Sequence, residues 1–216
     1  TINNKNLNII ISKSGGTSET IANYSSIKAN KKNLFICENS NNYIKALARK
    51  LNCKIINHKN YIGGRYSVLS EVGMLPAELM GLNPKKFKNY NSLIKDKRFL
   101  SSLLSNVAST LYFIRKKKFN SVILNYDEKS ENLFKWYQQL VAESLGKKNK
   151  GILPVVSMMP RDNHSVMQLY LDGFKNNFFT FFYVKENNSS KLLNSEILEK
   201  YKFLKNKNVS EIIYAQ

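Results

Sequence analysis

Short apolar runs alternate along this chain with longer stretches of helical periodicity, and that alternation limits the folds open to it. Residues 7–11 (LNIII), 33–37 (NLFIC), 53–56 (CKII), 121–125 (SVILN), 151–157 (GILPVVS) and 177–184 (NFFTFFYV) are compact runs bounded by polar or turn-forming residues. They are too short for helices and rich in β-branched and aromatic residues, so they read as buried strands. Between them lie helical patterns at 18–29, 42–51, 66–80, 91–115, 129–145 and 163–171, followed by a last one at 196–204 and a short apolar piece at 212–214. In 42–51, Ile44, Leu47, Ala48 and Leu51 recur at helical spacing; in 91–115, Leu100, Leu103, Leu104 and Val107 share one face. Strands alternating with helices call for parallel sheets wrapped by helices, the doubly wound α/β architecture.

The pattern divides into two such units, 1–90 and 91–216, at the polar, Lys/Asn-rich joint around 84–91. The first unit has one strand ahead of its first Gly-rich loop, where a doubly wound sheet normally has strands on both sides. The second ends just after an apolar run with nothing to pack over it. Both domains are therefore expected to be incomplete, and an opening on Thr1 rather than Met reads as an excised frame.

With 216 residues and 43% apolar content, the chain can bury a sizeable core. It has no run near the roughly 20 apolar residues of a membrane helix and no secretory leader, so a membrane partner is not expected. The formal charge, 34 − 15 = +19, raises the question of nucleic acid. Only Arg49, Arg65, Arg98, Arg115 and Arg161 are arginines; the other cations are lysines spread along the chain among many Asn and Ile, the bias of an AT-rich coding sequence. Lys at this density is mostly solvated surface. The 115–118 cluster falls where a helix should end, and there cations suit the helix dipole. No nucleic-acid partner is expected; a steep salt dependence of DNA binding would be its mark. The two cysteines, Cys37 and Cys53, have no metal or redox spacing, and Cys37 reads as a buried small hydrophobe in a reducing cytoplasm. His58 and His164 are far apart in the chain, and no metal site is expected.

Four segments carry chemistry. The first is 11–20, ISKSGGTSET, entered by a strand and left by a helix. Ser12, Ser14, Thr17 and Thr20 supply hydroxyls, Gly15 and Gly16 let backbone approach a ligand, and the helix start supplies free N–H groups. That set suits a phosphate monoester; simple helix capping accounts for one hydroxyl but not for four beside two glycines. The second is 61–67, YIGGRYS, a turn that presents Arg65, whose guanidinium can stabilise developing negative charge; the alternative is a surface Arg on a turn. The third is 136–147, WYQQLVAESLGK. Glu143 sits near the end of a largely apolar helix terminated by Gly146, and among apolar side chains it would be a usable base. An exposed Glu143 paired with Lys147 fits those residues equally well. The fourth is 160–165, PRDNHS. Asp162 or Asn163 could cap a following helix, placing His164 at its start, on the ligand side of a sheet.

Taken together and in this order, these segments resemble the glucose-6-phosphate isomerase family. The stretch GGRYSVLS (63–70) resembles the family's first signature; WYQQLVAESLGKKNKGILPV (136–155) and HSVMQLYLDG (164–173) resemble its second sugar-isomerase (SIS) domain. The resemblance implies two SIS domains, each a flavodoxin-like parallel sheet, and interconversion of glucose 6-phosphate and fructose 6-phosphate in glycolysis and gluconeogenesis. It implies phosphate binding by Ser12, Lys13, Ser14 and Thr17, with Ser14 standing where many members have Thr. It assigns Gly64 and Arg65 to the cis-enediol(ate), Gln139 to substrate contact, Glu143 to proton transfer between C1 and C2, and His164 to ring opening. His164 in the family reaches the partner subunit's site, which implies a homodimer. No metal or redox cofactor is implied, and the setting is the cytoplasm.

Two family parts are absent from the sequence: a Gly-Gly-Ser loop expected before Thr1 and a VE-x-x-K segment expected after Gln216. A fragment lacking both ends is therefore expected to have little activity alone. Rival readings are a non-catalytic SIS module, which would need no Glu143 and His164 beside Arg65, and an isomerase that also accepts mannose 6-phosphate.

Overall fold

The computed structural model describes residues 7–27, 32–186 and 199–215. Two compact units divide after Lys97. In the first, β1 (Asn8–Ile11), β2 (Asn33–Glu38) and β3 (Lys54–His58) form a parallel sheet in that order. Ile10 pairs with Phe35, and Phe35 with Ile55. As the middle strand, β2 has both edges and both faces covered, so Leu34, Phe35, Ile36 and Cys37 run apolar without alternating. The crossovers are α1 (Ser18–Ser25) and α2 (Tyr43–Lys50). Ile10, Phe35, Cys37, Ile44 and Ala48 form the core, with Tyr24 edge-on to Phe35 at 5.5 Å between ring centres. Phe35 has no solvent exposure, a burial that stabilises by about 1.5–3 kcal/mol relative to an exposed ring. Cys37 is buried in this core and Cys53 half-buried, both as free thiols; burial pushes the Cys37 thiol pKa up.

After β3 the chain makes a six-residue 3₁₀ turn, Gly64–Leu69, then α3 (Glu71–Leu79), the short α4 (Pro84–Phe87) and a second 3₁₀ stretch, Lys88–Lys95. The single helix expected over 66–80 is thus two elements. Ser70 is extended there, donates its hydroxyl to Ser67 O at 2.6 Å and accepts from Val72 N at 3.3 Å. It ends one element and caps the next, as serine readily does.

In the second unit, α5 (Lys97–Arg115) leads into β4 (Asn120–Asn125), α6 (Glu131–Leu145), β5 (Leu153–Met158), α7 (Met167–Asp172) and β6 (Asn177–Phe182). The parallel order is β5-β4-β6. One crossover runs to each side of β4, so the strand order reverses at its carboxyl end; open α/β sheets bind ligands at such a switch point. Val122, Leu124 and Met159 are the buried centre, and Phe113 of α5 stacks on Phe178 at 5.1 Å. The apolar stripe of α5 is otherwise open to solvent, with Leu104 69% exposed and no buried residue on the helix. The expected helix at 163–171 begins later: a 3₁₀ turn, Arg161–His164, precedes α7. The expected helix at 196–204 is a 3₁₀ stretch, Glu199–Leu204, over its described part; 196–198 and 28–29 lie outside the described residues. The apolar piece at 212–214 belongs to α8 (Val209–Ala215). No helix among the described residues is long and apolar enough to cross a membrane.

Candidate functional site

The first unit carries the Ser/Thr-rich loop at the carboxyl end of β1. Ser12 amide donates to Ile36 O at 3.0 Å and Glu38 amide to Lys13 O at 2.9 Å, so the sheet pairing runs on into the loop. Ser12 is buried; its hydroxyl shares a 2.8 Å hydrogen bond with that of Thr17 and accepts from Gly15 N at 3.1 Å. Gly16 N donates to Ser14 Oγ at 3.3 Å. Thr17 is the residue before α1, yet its side chain makes no cap bond because it is turned to Ser12. The start of α1 thus carries no side-chain cap, and a helix start offers an anion both N–H groups and dipole.

Gly15 is indispensable to this shape. Its φ is +66°, and a Cβ there would lie 2.0 Å from Asn42 Oδ1. Asn42 caps α2 by accepting from Lys45 N at 2.9 Å, so the loop rests on the next crossover. Lys13 reaches Glu38 at 3.5 Å, which offsets part of its charge.

The second segment presents Arg65 from the 3₁₀ turn. Tyr66 N donates to Gly63 O at 2.9 Å and Ser67 Oγ to Gly64 O at 2.7 Å, so both glycine carbonyls are engaged in shaping the turn. Arg65 is half-buried, its guanidinium carbon 5.7 Å from the Tyr66 ring centre.

In the second unit, Gln139 and Glu143 lie one turn apart on α6, and Gln139 Nε2 donates to Glu143 Oε1 at 3.0 Å. Glu143 is exposed and α6 has no buried residue. Of the two settings the sequence allows, the exposed one is formed, with Gln139 at i−4 bonded to the carboxylate. His164 ends the turn that follows β5 and is exposed. The cap expected of Asp162 or Asn163 is not made, since α7 starts after Val166. Instead Asp162 Oδ2 accepts from Met158 N at 2.7 Å and its Oδ1 from Arg161 Nε at 3.0 Å. Burial pushes the Asp162 carboxyl pKa up, but those two hydrogen bonds and the Arg161 charge outweigh it and hold it below the usual carboxylate range. Asp162 thus pins the turn carrying His164 to the end of β5. Asn163 Oδ1 in the same turn is buried with no hydrogen-bond partner among the described residues. Among the described residues no group of three or more His, Cys, Asp or Glu could hold a metal ion.

Sequence reasoning overlooked Asn42, whose position before an amphipathic helix could have revealed it, and the His58–Glu71 pair, for which no motif exists. It also overlooked Asn125, which is buried at the end of β4 and bonded to both Asp127 N and O, at 3.0 and 2.9 Å.

Two parallel α/β units, one with a Ser/Thr/Gly loop at its strand ends and one wound to both sides of its middle strand, define a doubly wound protein with ligand-edge polar loops. The chain belongs to the phosphoglucose isomerase family, whose family model matches residues 2–157. A glucose-6-phosphate isomerase of Methanocaldococcus jannaschii is 35% identical over 195 residues, covering 85% of this chain and 48% of that protein. One from Mycoplasmopsis pulmonis is 34% identical over 157 residues, covering 70% and 37%. The chain therefore spans about half the length, or less, of these relatives. Among solved structures, a hypothetical protein from Thermus thermophilus matches all of this chain and 56% of its own, with a TM-score of 0.80 and 24% identity. A glucose-6-phosphate isomerase from Chlamydia trachomatis matches 97% of this chain and 43% of its own, with a TM-score of 0.67 and 16% identity. At those identities the likeness concerns the fold.

Proposed function

We propose that the protein to which this chain belongs interconverts glucose 6-phosphate and fructose 6-phosphate by proton transfer through a cis-enediol(ate). The observation that carries the reading is the loop at 12–17, where buried Ser12 and exposed Thr17 hold each other and leave Ser14 and the start of α1 for an anion. Family membership and the isomerase relatives support the same substrate class.

In this reading the loop of Ser12, Lys13, Ser14 and Thr17 anchors the phosphate: Ser14 and the first amides of α1 donate to it, Ser12 and Thr17 hold the loop in shape around it, and Lys13, shared with Glu38, adds a partly offset charge. His164 moves the proton that opens the sugar ring, from a turn made firm by Asp162. Glu143 then takes the C2 proton and returns it to C1, with Gln139 orienting its carboxylate. Gly64 and Arg65 place a fixed positive charge where the enediolate develops negative charge. Ring opening frees the carbonyl that acidifies the neighbouring C–H, and one base then serves both carbons, so Glu143 and Arg65 together account for the proton-transfer step. The partner is a second copy of the chain receiving His164, the setting is the cytoplasm, and the division of labour follows two SIS domains, 1–90 and 91–216.

The test is turnover of glucose 6-phosphate by the full-length gene product and its Glu143→Gln variant. The variant should lose about 10²–10⁴-fold in kcat with KM little changed. Unchanged turnover removes Glu143 from the mechanism.

A further inference from the structure

The first unit buries a histidine that the proposed chemistry does not use. His58 ends β3, and its side chain has no solvent exposure. Its Nδ1 lies 2.5 Å from Glu71 Oε1, and its Nε2 lies 3.1 Å from Ile62 O. A carbonyl oxygen can only accept. An ionised carboxylate can only accept. A neutral imidazole has one N–H and could serve one of them, leaving a lone pair facing the other. Burial pushes the Glu71 carboxyl pKa up, but its own amide at the start of α3, His58 and the Lys59 amide together hold it below the usual range. With Glu71 ionised, two acceptors on one buried ring call for two ring protons; the alternative is a neutral ring with the proton on Glu71, which the ring-proton count distinguishes. The charged groups on the neighbouring elements are Glu71 on α3, Lys59 after β3, and Glu38, His58's register neighbour on β2, which is itself paired with Lys13.

The two tie points bracket the 3₁₀ turn that carries Arg65: Ile62 lies just before its Gly63-Gly64 entry and Glu71 just after its Ser70 exit. Within the bracket the glycine carbonyls are held by Tyr66 N and Ser67 Oγ. The exit is packed so closely that a Cβ on Gly73 of α3 would lie 2.1 Å from Val68 O. With both ends tied and the interior bonded, the clasp holds the frame of the turn from which Arg65 projects.

We infer that His58, as an imidazolium, is a positioning residue for Arg65, joining the Ile62 carbonyl to the Glu71 carboxylate and so setting both ends of the turn. The inference rests on the role given to Arg65 above.

Nitrogen-resolved NMR of the His58 ring in the full-length gene product, near neutral pH, should show two nitrogen-bound protons; one alone overturns the imidazolium. Kinetics test the positioning. Glu71→Gln gives a neutral ring two matched partners, Nε2–H to Ile62 O and Nδ1 accepting from the amide, so kcat should stay within about 3-fold. His58→Ala and Glu71→Ala should lower kcat roughly 10–100-fold with KM within about 3-fold, since a displacement near 1 Å can cost about 10² in rate and the phosphate loop is untouched. Full kcat in His58→Ala, or a loss in Glu71→Gln as deep as in Glu71→Ala, overturns the inference. Should His58→Ala fail to fold, the two Glu71 variants decide. Should the unmutated protein fail to isomerise glucose 6-phosphate, the functional reading falls and the ring-proton count alone decides the clasp.

Discussion

Gly15 ties the 12–17 loop to a single residue type. Its positive φ and the Asn42 side chain pressed against it leave no room for a methyl group. Gly15→Ala should cost about 1–3 kcal/mol through backbone strain and the forced movement of Asn42, read as a lowered denaturant midpoint, and should raise KM more than it lowers kcat. Asp162 makes a prediction about pH. Its carboxyl pKa is lower in the fold than in the unfolded chain, so its contribution is complete above the unfolded value and is lost as pH falls through the folded one. Unfolding measured below about pH 4, the unperturbed Asp range, should show stability falling with acid, and Asp162→Asn should flatten that slope. Of these two residues, Gly15 was legible from its motif. The clamp made by Asp162 was not, because nothing in PRDNHS distinguishes a carboxylate that caps the next helix from one that bonds back to Met158.

The six strands could be read from the sequence because each is an apolar run closed by a polar or turn residue, and their observed bounds differ from the expected ones by a residue or two. The helices around 66–80 and 163–171 were harder. Apolar spacing continues across Ser70, but its side chain satisfies backbone groups on both sides and breaks the helix there. The stripe on α5 was legible as one face, yet its exposure was not, since spacing shows which residues share a side and not what covers them. Asn42 serves both α2 and the 12–17 loop. Asn42→Ala removes the α2 cap and should cost about 1 kcal/mol, seen as a lower thermal midpoint, together with weaker phosphate binding through Gly15. The His58–Glu71 contact joins residues 13 apart through a fold-made pocket, and no local pattern encodes it.

For the molecule as a whole, the +19 charge gives a long-range field that favours an anionic substrate. Raising ionic strength shortens the reach of that field to about 10 Å at 0.1 M salt, so kcat/KM for the sugar phosphate should fall with salt while kcat stays nearly level. The division into two units follows from the strand–helix alternation, and the doubly wound class was legible from it. The sequence fits Glu143 equally well among apolar side chains or exposed on its helix; it is exposed, and α6 buries no residue, since spacing does not show what covers a face. The measurement that bears most directly on the proposal is glucose 6-phosphate isomerisation in D₂O by the full-length gene product, with Glu143→Gln beside it. Because a proton held on the Glu143 carboxyl exchanges with solvent while the enediol(ate) is bound, some deuterium entering at C2 of recovered glucose 6-phosphate or at C1 of fructose 6-phosphate, together with a loss of about 10²-fold or more in the variant, is the expected result. Isomerisation that proceeds undiminished in the variant, or no isomerisation by the unmutated protein, contradicts it.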